Sequence, residues 1–534
     1  MSGGTLGVTR EPAGTRSMRL RVPRWSAPAW GAIGIAVVFV ALSAWWLSID
    51  RGVPYNDAAL HLFVAFRFHD LLELGRVGSV FDFPSYYPPL TYLLGAAATF
   101  VAGVHVAVPI LAQNLVYVPL LALACYRVGR MAAGPVCGLL AVAFALGCPL
   151  IIEQFHVFML DMPQATFVAL TVWLVLASDR FARVGLAGLA GLALGLGTAS
   201  KELAPIYLLG LVACVLARGG WRNWRGLLAF GGVALAIGAP WYVHEAMLGD
   251  LGRLWRAAGP ATVRPLARPP LVSLDNLLWY LWATLDGLLF APLFALASVG
   301  VGAAVARVLR GARDGVTLEL LCGLGGAWLG LLIMPHKDLR YTISLIVFLA
   351  VLGTAWIVRL APRRRTIAVA FLSAAIVAAQ LGATFGVGGE TSRRLPGERD
   401  APAGEGVPPR DTVIVYENHD FLVSGPHRSP DVLAFLRALR REGVLEVGFV
   451  DMVDSFDKHF EEIGLWDLSR VAGLQVEEPE HIVSPGPSQA IAIRTHPSGA
   501  TGPPCLWLSD GSGVWLQIGG PPGSPPRYGC PRSE

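Results

Sequence analysis

Long apolar runs recur along the chain, separated by short loops that hold most of its arginines, and this alternation restricts the fold more than any motif does. The runs are about 16 to 25 residues long, the length an α-helix needs to cross a hydrocarbon core roughly 30 Å thick. Residues 30–47 are apolar on every face, whereas strands of a membrane β-barrel would alternate in segments of about ten residues. Helices also satisfy their own backbone polar groups inside a bilayer. Composition agrees: 54% of the residues are hydrophobic and 15% charged, with mean hydropathy +0.54, against about 25% charge in soluble chains. The expected fold is a polytopic α-helical membrane protein with about eleven transmembrane helices. A soluble enzyme is excluded.

Arginine placement sets the orientation. Arg10, Arg16, Arg19, Arg21 and Arg24 precede the first run, so the positive-inside rule puts the N-terminus in the cytoplasm. Spans are expected at 29–47, 106–125, 135–152, 163–177, 184–199, 204–216, 227–243, 277–304, 317–334, 342–358 and 367–385. With these, the loops holding Arg127/Arg130, Arg180/Arg183, Arg218/Arg222/Arg225, Arg307/Arg310/Arg313 and Arg363/Arg364/Arg365 all fall inside. The apolar stretch 89–104 is short and would reverse everything after it if it crossed, so it is read as a re-entrant or interfacial segment. An odd number of crossings leaves the C-terminus outside. The expected location is the cell inner (plasma) membrane, multi-pass. Basic residues used this way are no nucleic-acid footprint, and no nucleic acid is expected as partner.

The resulting domains are a cytoplasmic basic tail (1–28), a transmembrane module (29–388) with an outer loop at 48–105, a linker (389–409) and an extracytoplasmic α/β domain (410–534). In the last, 412–416 and 445–450 read as strands and 430–441 as an amphipathic helix, the beginning of a βαβ unit. The final thirty or so residues hold PPG and SPP clusters and read as irregular loop. Cys125, Cys137, Cys148, Cys214 and Cys322 read as small core residues. Cys505 and Cys530 bracket the polar end and can close a loop in an oxidising compartment. No zinc spacing occurs, and no metal or cofactor is assigned.

Four of the returns to the outer side carry the motifs that follow. The first contains PYNDAALH, with Asp57 and His61 on one face of a helix. Asp57 is either a general base or a helix N-cap, and His61 either contacts substrate or is an interfacial residue. The same loop continues as FDFPSYYPPL, a rigid aromatic segment at headgroup level that includes Tyr87. The second return holds LDMP, where Asp161 suits a cap of the next helix. The third holds GLGTASKELAPIY: Lys201 suits phosphate binding as a point charge, or pairing with Glu202. Gly191 and Gly195 before it suit close helix packing. The fourth, MPHKDLRY, gathers His336, Lys337 and Arg340 beside Asp338, positive charge on the side where the inside bias disfavours it.

On these motifs the chain resembles the GT-C class of membrane glycosyltransferases, in particular the protein O-mannosyltransferase and aminoarabinose-transferase (ArnT-like) families. The resemblance covers approximately residues 29–358 and rests on YNDAALH, YPPL, LDMP, TASKEL and HKDLRY. Many relatives carry Asp-Glu in the first loop, whereas this chain has Asn56-Asp57-Ala58, which leaves Asp57 as the carboxylate there. The resemblance implies transfer of a sugar from a polyprenyl-phosphate donor, at the outer face, to a hydroxyl of a protein, lipid or glycan acceptor in the cell envelope. It implies Asp57 and Asp161 as catalytic, with Asp57 the base and Asp161 orienting substrate. Lys201, His336, Lys337 and Arg340 would take the donor phosphate, and His61, Tyr87 and Glu202 would bind substrate. A single displacement implies inversion at the anomeric carbon.

Two other classes compete. A transporter or flippase for a lipid-linked precursor would place its ionisable residues near the bilayer midplane. Here most lie at span ends, Glu319 and Asp286 being the exceptions. A non-catalytic assembly protein would tolerate loss of Asp57.

Overall fold

In a computed structural model of the protein, the described residues are 26–52, 54, 56–83, 85, 87–249, 271–311, 315–334 and 337–387, then 432–450, 467–476, 489–493, 504–507, 513–518 and 527–528. Every expected span is helical. In order come α1 (Ala27–Ile49), α2 (Asn56–Glu73), α3 (Ser79–Asp82), α4 (Leu90–Ala102), α5 (Ala107–Ala133), α6 (Pro135–Leu146), α7 (Pro149–Gln154), α8 (Asp161–Ala177) and α9 (Val184–Thr198). Next are α10 (Leu209–Ala217), α11 (Trp224–Met247), α12 (Leu274–Ala283), α13 (Phe290–Leu309), α14 (Gly315–Ile333), α15 (Ile346–Ala355) and α16 (Pro362–Ala383). Seven described helical stretches are long and apolar enough to cross a membrane. The chain is thus a multi-pass membrane protein. Eleven crossings would add α6 with α7, α8, α9 and α10, which are shorter. Gly147 and Pro149 break the third expected span into α6 and α7, since proline cannot donate to the preceding turn.

Within residues 89–104 lies the 13-residue α4 (Leu90–Ala102), roughly 20 Å long at 1.5 Å per residue; length alone does not set it apart from α9 and α10. It packs against α2 and α5: Gly95 faces Ala65 and Pro109. α2 is amphipathic, with Ala58, Leu62, Ala65, Phe66 and His69 buried and Arg67 and Glu73 exposed.

The arginine-bearing turns gather at one end of the bundle. Arg180 Nη1 donates to Arg218 O at 3.0 Å, Asn223 Nδ2 to Arg180 O at 2.8 Å, and Arg359 Nη2 to Ala132 O at 3.3 Å. Glu319 belongs to this end too: Arg218 Nη1 lies 3.1 Å from its Oε1, which accounts for an acid inside an apolar run. The side chain of Asp286 lies outside the described residues.

α9 and α11 pack closely through glycine. A Cβ on Gly191 would meet the Phe230 carbonyl, and one on Gly195 would come within 2.7 Å of Ile237 Cβ. Gly191→Val is therefore expected to destabilise the protein by about 1–3 kcal/mol through overpacking, read as a lower unfolding midpoint in detergent; an unchanged midpoint would remove this packing argument.

The C-terminal part is α17 (Val432–Arg441) against a sheet of β1 (Glu446–Val450), β2 (Gln475–Val476), β3 (Gln489–Ile493), β4 (Leu506–Trp507), β5 (Gly513–Ile518) and β6 (Arg527–Tyr528). Strand order is β2-β1-β3-β5-β4, with β6 on β5. β1 runs parallel to both β2 and β3, pairing Val447 with Ala490, and β5 runs antiparallel to β3. Val432, Leu436 and Leu439 meet Val447, Ala490, Val514 and Leu516 in its core. The expectation of irregular loop at the chain end is corrected here. Val514 and Leu516 alternate inward as a strand does, and the Pro/Gly clusters flank that strand. Residues 412–416 lie outside the described residues. Cys505 is disulfide-bonded and Cys530 lies outside the described residues. The other five cysteines are free. This part touches the membrane module through Arg470, which grips both carboxylate oxygens of Asp70 on α2 and lies 5.6 Å over the Phe66 ring.

Candidate active site

The site forms at the bundle end opposite the arginine-bearing turns, where the N-termini of α2 and α8, the C-terminus of α9 and the entry to α15 meet. Asp161 is the first residue of α8, a position where the helix dipole favours a carboxylate. α9 unwinds just before Lys201, and its end is tied down by Leu90 N donating to Ala199 O at 3.3 Å and Tyr242 Oη to Thr198 O at 2.9 Å. Lys201 Nζ thereby reaches Asp161 Oδ1 at 2.7 Å, with side-chain exposures of 6% and 2%. The ammonium also sits 5.7 Å from the Tyr87 ring and 5.2 Å from the Tyr341 ring, an aromatic cage that suits a cation. Burial works against its charge, but Asp161 together with Tyr87 and Glu202 more than offsets it, and the Lys201 pKa stands above the ordinary lysine value.

Arg340 bridges two acids. Its Nη1 lies 2.7 Å from Asp57 Oδ2, while Nε and Nη2 reach Asp338 Oδ2 at 2.9 and 2.5 Å. Asp338 also accepts from Arg340 N at 2.8 Å, capping the 3-10 turn Leu339–Leu345 that leads into α15. Asp57 and Arg340 keep side-chain exposures of 31% and 25%. This pair is thus open to a ligand, whereas the Lys201–Asp161 pair lies beneath. Burial pushes the Asp57 carboxyl up, but its neighbours, the Arg340 guanidinium foremost by charge and hydrogen bond, pull it down further, leaving it below its ordinary value.

His61, one turn along α2 from Asp57, is buried; its Nδ1 is 3.0 Å from Tyr92 Oη, and its ring meets Tyr87 edge-on. Burial brings its pKa down to about 3 and keeps it neutral. It sits behind Asp57 as support. Glu202 is half-buried next to Lys201, with its inaccessible Oε2 unpartnered and its pKa raised by burial. Asp161 Oδ2 and Gln164 Oε1 are likewise unpartnered acceptors, the kind of group a sugar hydroxyl satisfies. Lys337 Nζ donates to Leu331 O and Leu332 O at 3.1 Å, closing the C-terminus of α14, and lies 4.9 Å over Tyr280. Burial lowers its pKa to about 8. His336 lies outside the described residues.

The structure therefore brings Asp57, Asp161, Lys201, Glu202, Tyr87 and Arg340 together. It adds Asp338 and Tyr341, which the HKDLRY stretch contains and sequence reasoning assigned no role; their signal was adjacency, Asp338 following Lys337 and Tyr341 following Arg340. Among the described residues no cluster of three metal-ligating side chains exists.

Comparison with known proteins follows the same lines. Residues 87–244 match the profile of the dolichyl-phosphate-mannose-protein mannosyltransferase family. No curated protein matches the sequence. Among solved structures, ArnT from Cupriavidus metallidurans bound to undecaprenyl phosphate superposes with TM-score 0.54 at 16% identity, covering 93% of this chain and 100% of that one. The same protein in its apo state gives 0.52 at 16% identity, covering 90% and 98%.

Proposed function

Starting from a membrane protein that shares the GT-C fold of ArnT and carries a protein-mannosyltransferase segment at residues 87–244, we propose that the chain is a glycosyltransferase. It moves a sugar from a polyprenyl-phosphate donor to an acceptor hydroxyl on the outer face of the inner membrane, with inversion. The observation that carries this is Arg340 held 2.7 Å from Asp57 in an open pair beside the caged Lys201. A carboxylate suited to act as base and cations suited to bind phosphate stand side by side at one bundle end.

In the mechanism, the acceptor oxygen attacks the anomeric carbon and its proton passes to Asp57. The bond from that carbon to the phosphate oxygen breaks, and the growing charge on the phosphate is stabilised by Arg340 and Lys201 in a partly dry site. Donor binding also prepares the base. The phosphate competes with Asp57 and Asp338 for Arg340, and as Arg340 turns to it, Asp57 loses the cation that depresses its pKa and becomes a stronger base. Asp161 and Glu202 present acceptors to sugar hydroxyls. The groove that admits the lipid tail runs along α4. The C-terminal α/β domain, docked on α2 by Arg470, lies on the same outer side.

Wild-type protein given a panel of polyprenyl-phosphate sugars should consume one of them and yield a product of opposite anomeric configuration by NMR. Retained configuration would overturn the single displacement. A transporter would move donor across vesicles without consuming it. A pH effect also follows. Lys337 is charged below about 8, and a phosphodiester donor keeps one negative charge throughout, so donor affinity should fall as pH rises through about 8. The fall should vanish in Lys337→Gln; a pH profile identical in wild type and variant would remove Lys337 from donor binding.

A further inference from the structure

At the opposite end of the bundle, α5, α8 and the turn after α8 line a half-open cavity of about 490 Å3 that plays no part in the site above. Arg127, Arg130 and Arg183 line it with a single carboxylate, Asp179, over a floor that includes Trp173 and Leu176. Arg127 lies 5.2 Å over the Trp173 ring, and Asp179 is drawn 3.9 Å from Arg180 Nε, outside the lining. Positive charge at this end is general, but two arginines of α5 and one beside a fixed turn lining the same pocket are not. The rim is the turn after α8, where Asp179, Arg180 and Phe181 all have positive φ, at 52°, 56° and 66°. Non-glycine residues hold such angles only when their surroundings fix them. Here Ser178 does so, its Oγ accepting from Phe181 N at 3.1 Å and its carbonyl from Arg183 N at 2.9 Å. Phe181 is fully buried, and Arg180 is clamped to Arg218 O and by Asn223.

We propose that this cavity binds the phosphodiester headgroup of an anionic phospholipid of the inner leaflet. Charge complementarity selects an anion, since guanidiniums match phosphate oxygens in pairs. The position of the cavity along the bundle selects a lipid: Trp173 and Leu176 belong to the last turns of a membrane helix, where an indole sits at headgroup level and basic pockets between helices take lipid phosphates. Arg130 and Arg183 hold the phosphate, and the acyl chains leave along the apolar floor.

The test is native mass spectrometry of the full chain with phosphatidylglycerol or phosphatidylcholine, in wild type and in Arg130→Gln/Arg183→Gln. Wild type should bind one phosphatidylglycerol roughly tenfold more tightly than phosphatidylcholine, and the double variant should show no preference. Equal affinity for both lipids, or a preference that survives the double variant, would overturn the proposal. So would displacement of the lipid by millimolar inorganic phosphate, which would mark a soluble-anion site. If the double variant does not fold, Arg183→Gln alone should weaken the preference several-fold, and an unchanged preference there counts against it equally.

Discussion

Asp161→Ala should destabilise the protein by about 3–5 kcal/mol, the cost of leaving a buried charge without its partner. The pair it breaks is 2.7 Å long and nearly inaccessible on both sides, so water cannot replace the carboxylate. Tyr87 and Tyr341 soften the loss through their ring faces but supply no counter-charge. The double variant Asp161→Leu/Lys201→Met should recover most of that stability, because an apolar pair of similar volume can replace a buried ion pair at little cost. It should nevertheless transfer no sugar. Unfolding in detergent separates the outcomes: a single variant as stable as wild type would mean that the pair is hydrated, and a double variant no better than the single would mean that shape rather than charge holds α8 to the end of α9.

Asp57→Asn should lower kcat by about 10²–10⁴-fold, the range removed with a positioned general base. Stability should change by no more than about 1 kcal/mol, because the Asp57–Arg340 pair is partly exposed and Arg340 keeps Asp338. Donor affinity should hold or rise, since Arg340 is released from one competitor. The pH dependence has a definite sign. The Asp57 pKa is below its ordinary value in the donor-free protein, so the stability this pair contributes is present above the ordinary carboxylate value and lost as pH falls through the lowered one. The acid limb of kcat, measured with donor bound, should lie above that of kcat/KM, because the donor phosphate takes Arg340 away.

The membrane fold was legible because apolar run length is a direct physical requirement, and the arginine bias placed each turn at the end where Arg180, Arg218 and Arg359 are found. Length did not separate residues 89–104 from the spans, since α4 is longer than α10; that reading rested on keeping the arginine-bearing loops on one side. What sequence left open at the site was pairing. Lys201 could have been satisfied by its neighbour Glu202, but it turns to Asp161, 40 positions away, a contact fixed by how α9 ends against α8. His61 was read as facing substrate because it shares a helix face with Asp57. That face turns into the core beyond the first turn, and His61 meets Tyr92 there. Arg340 read as a phosphate ligand beside Asp338, and nothing in the sequence hinted that Asp57, far back in the chain, would be its second partner. β5 was masked by the prolines around it, whose turn signal outweighed a short strand.

The central claim is that Asp57 takes a proton during sugar transfer. Its most direct test is transfer of radiolabelled sugar from a saturating polyprenyl-phosphate donor into acceptor by membranes holding equal amounts of wild type and Asp57→Asn. Transfer lost in the variant while donor binding persists is the expected result; equal transfer by both forms would contradict the account and leave Asp57 only as the partner of Arg340.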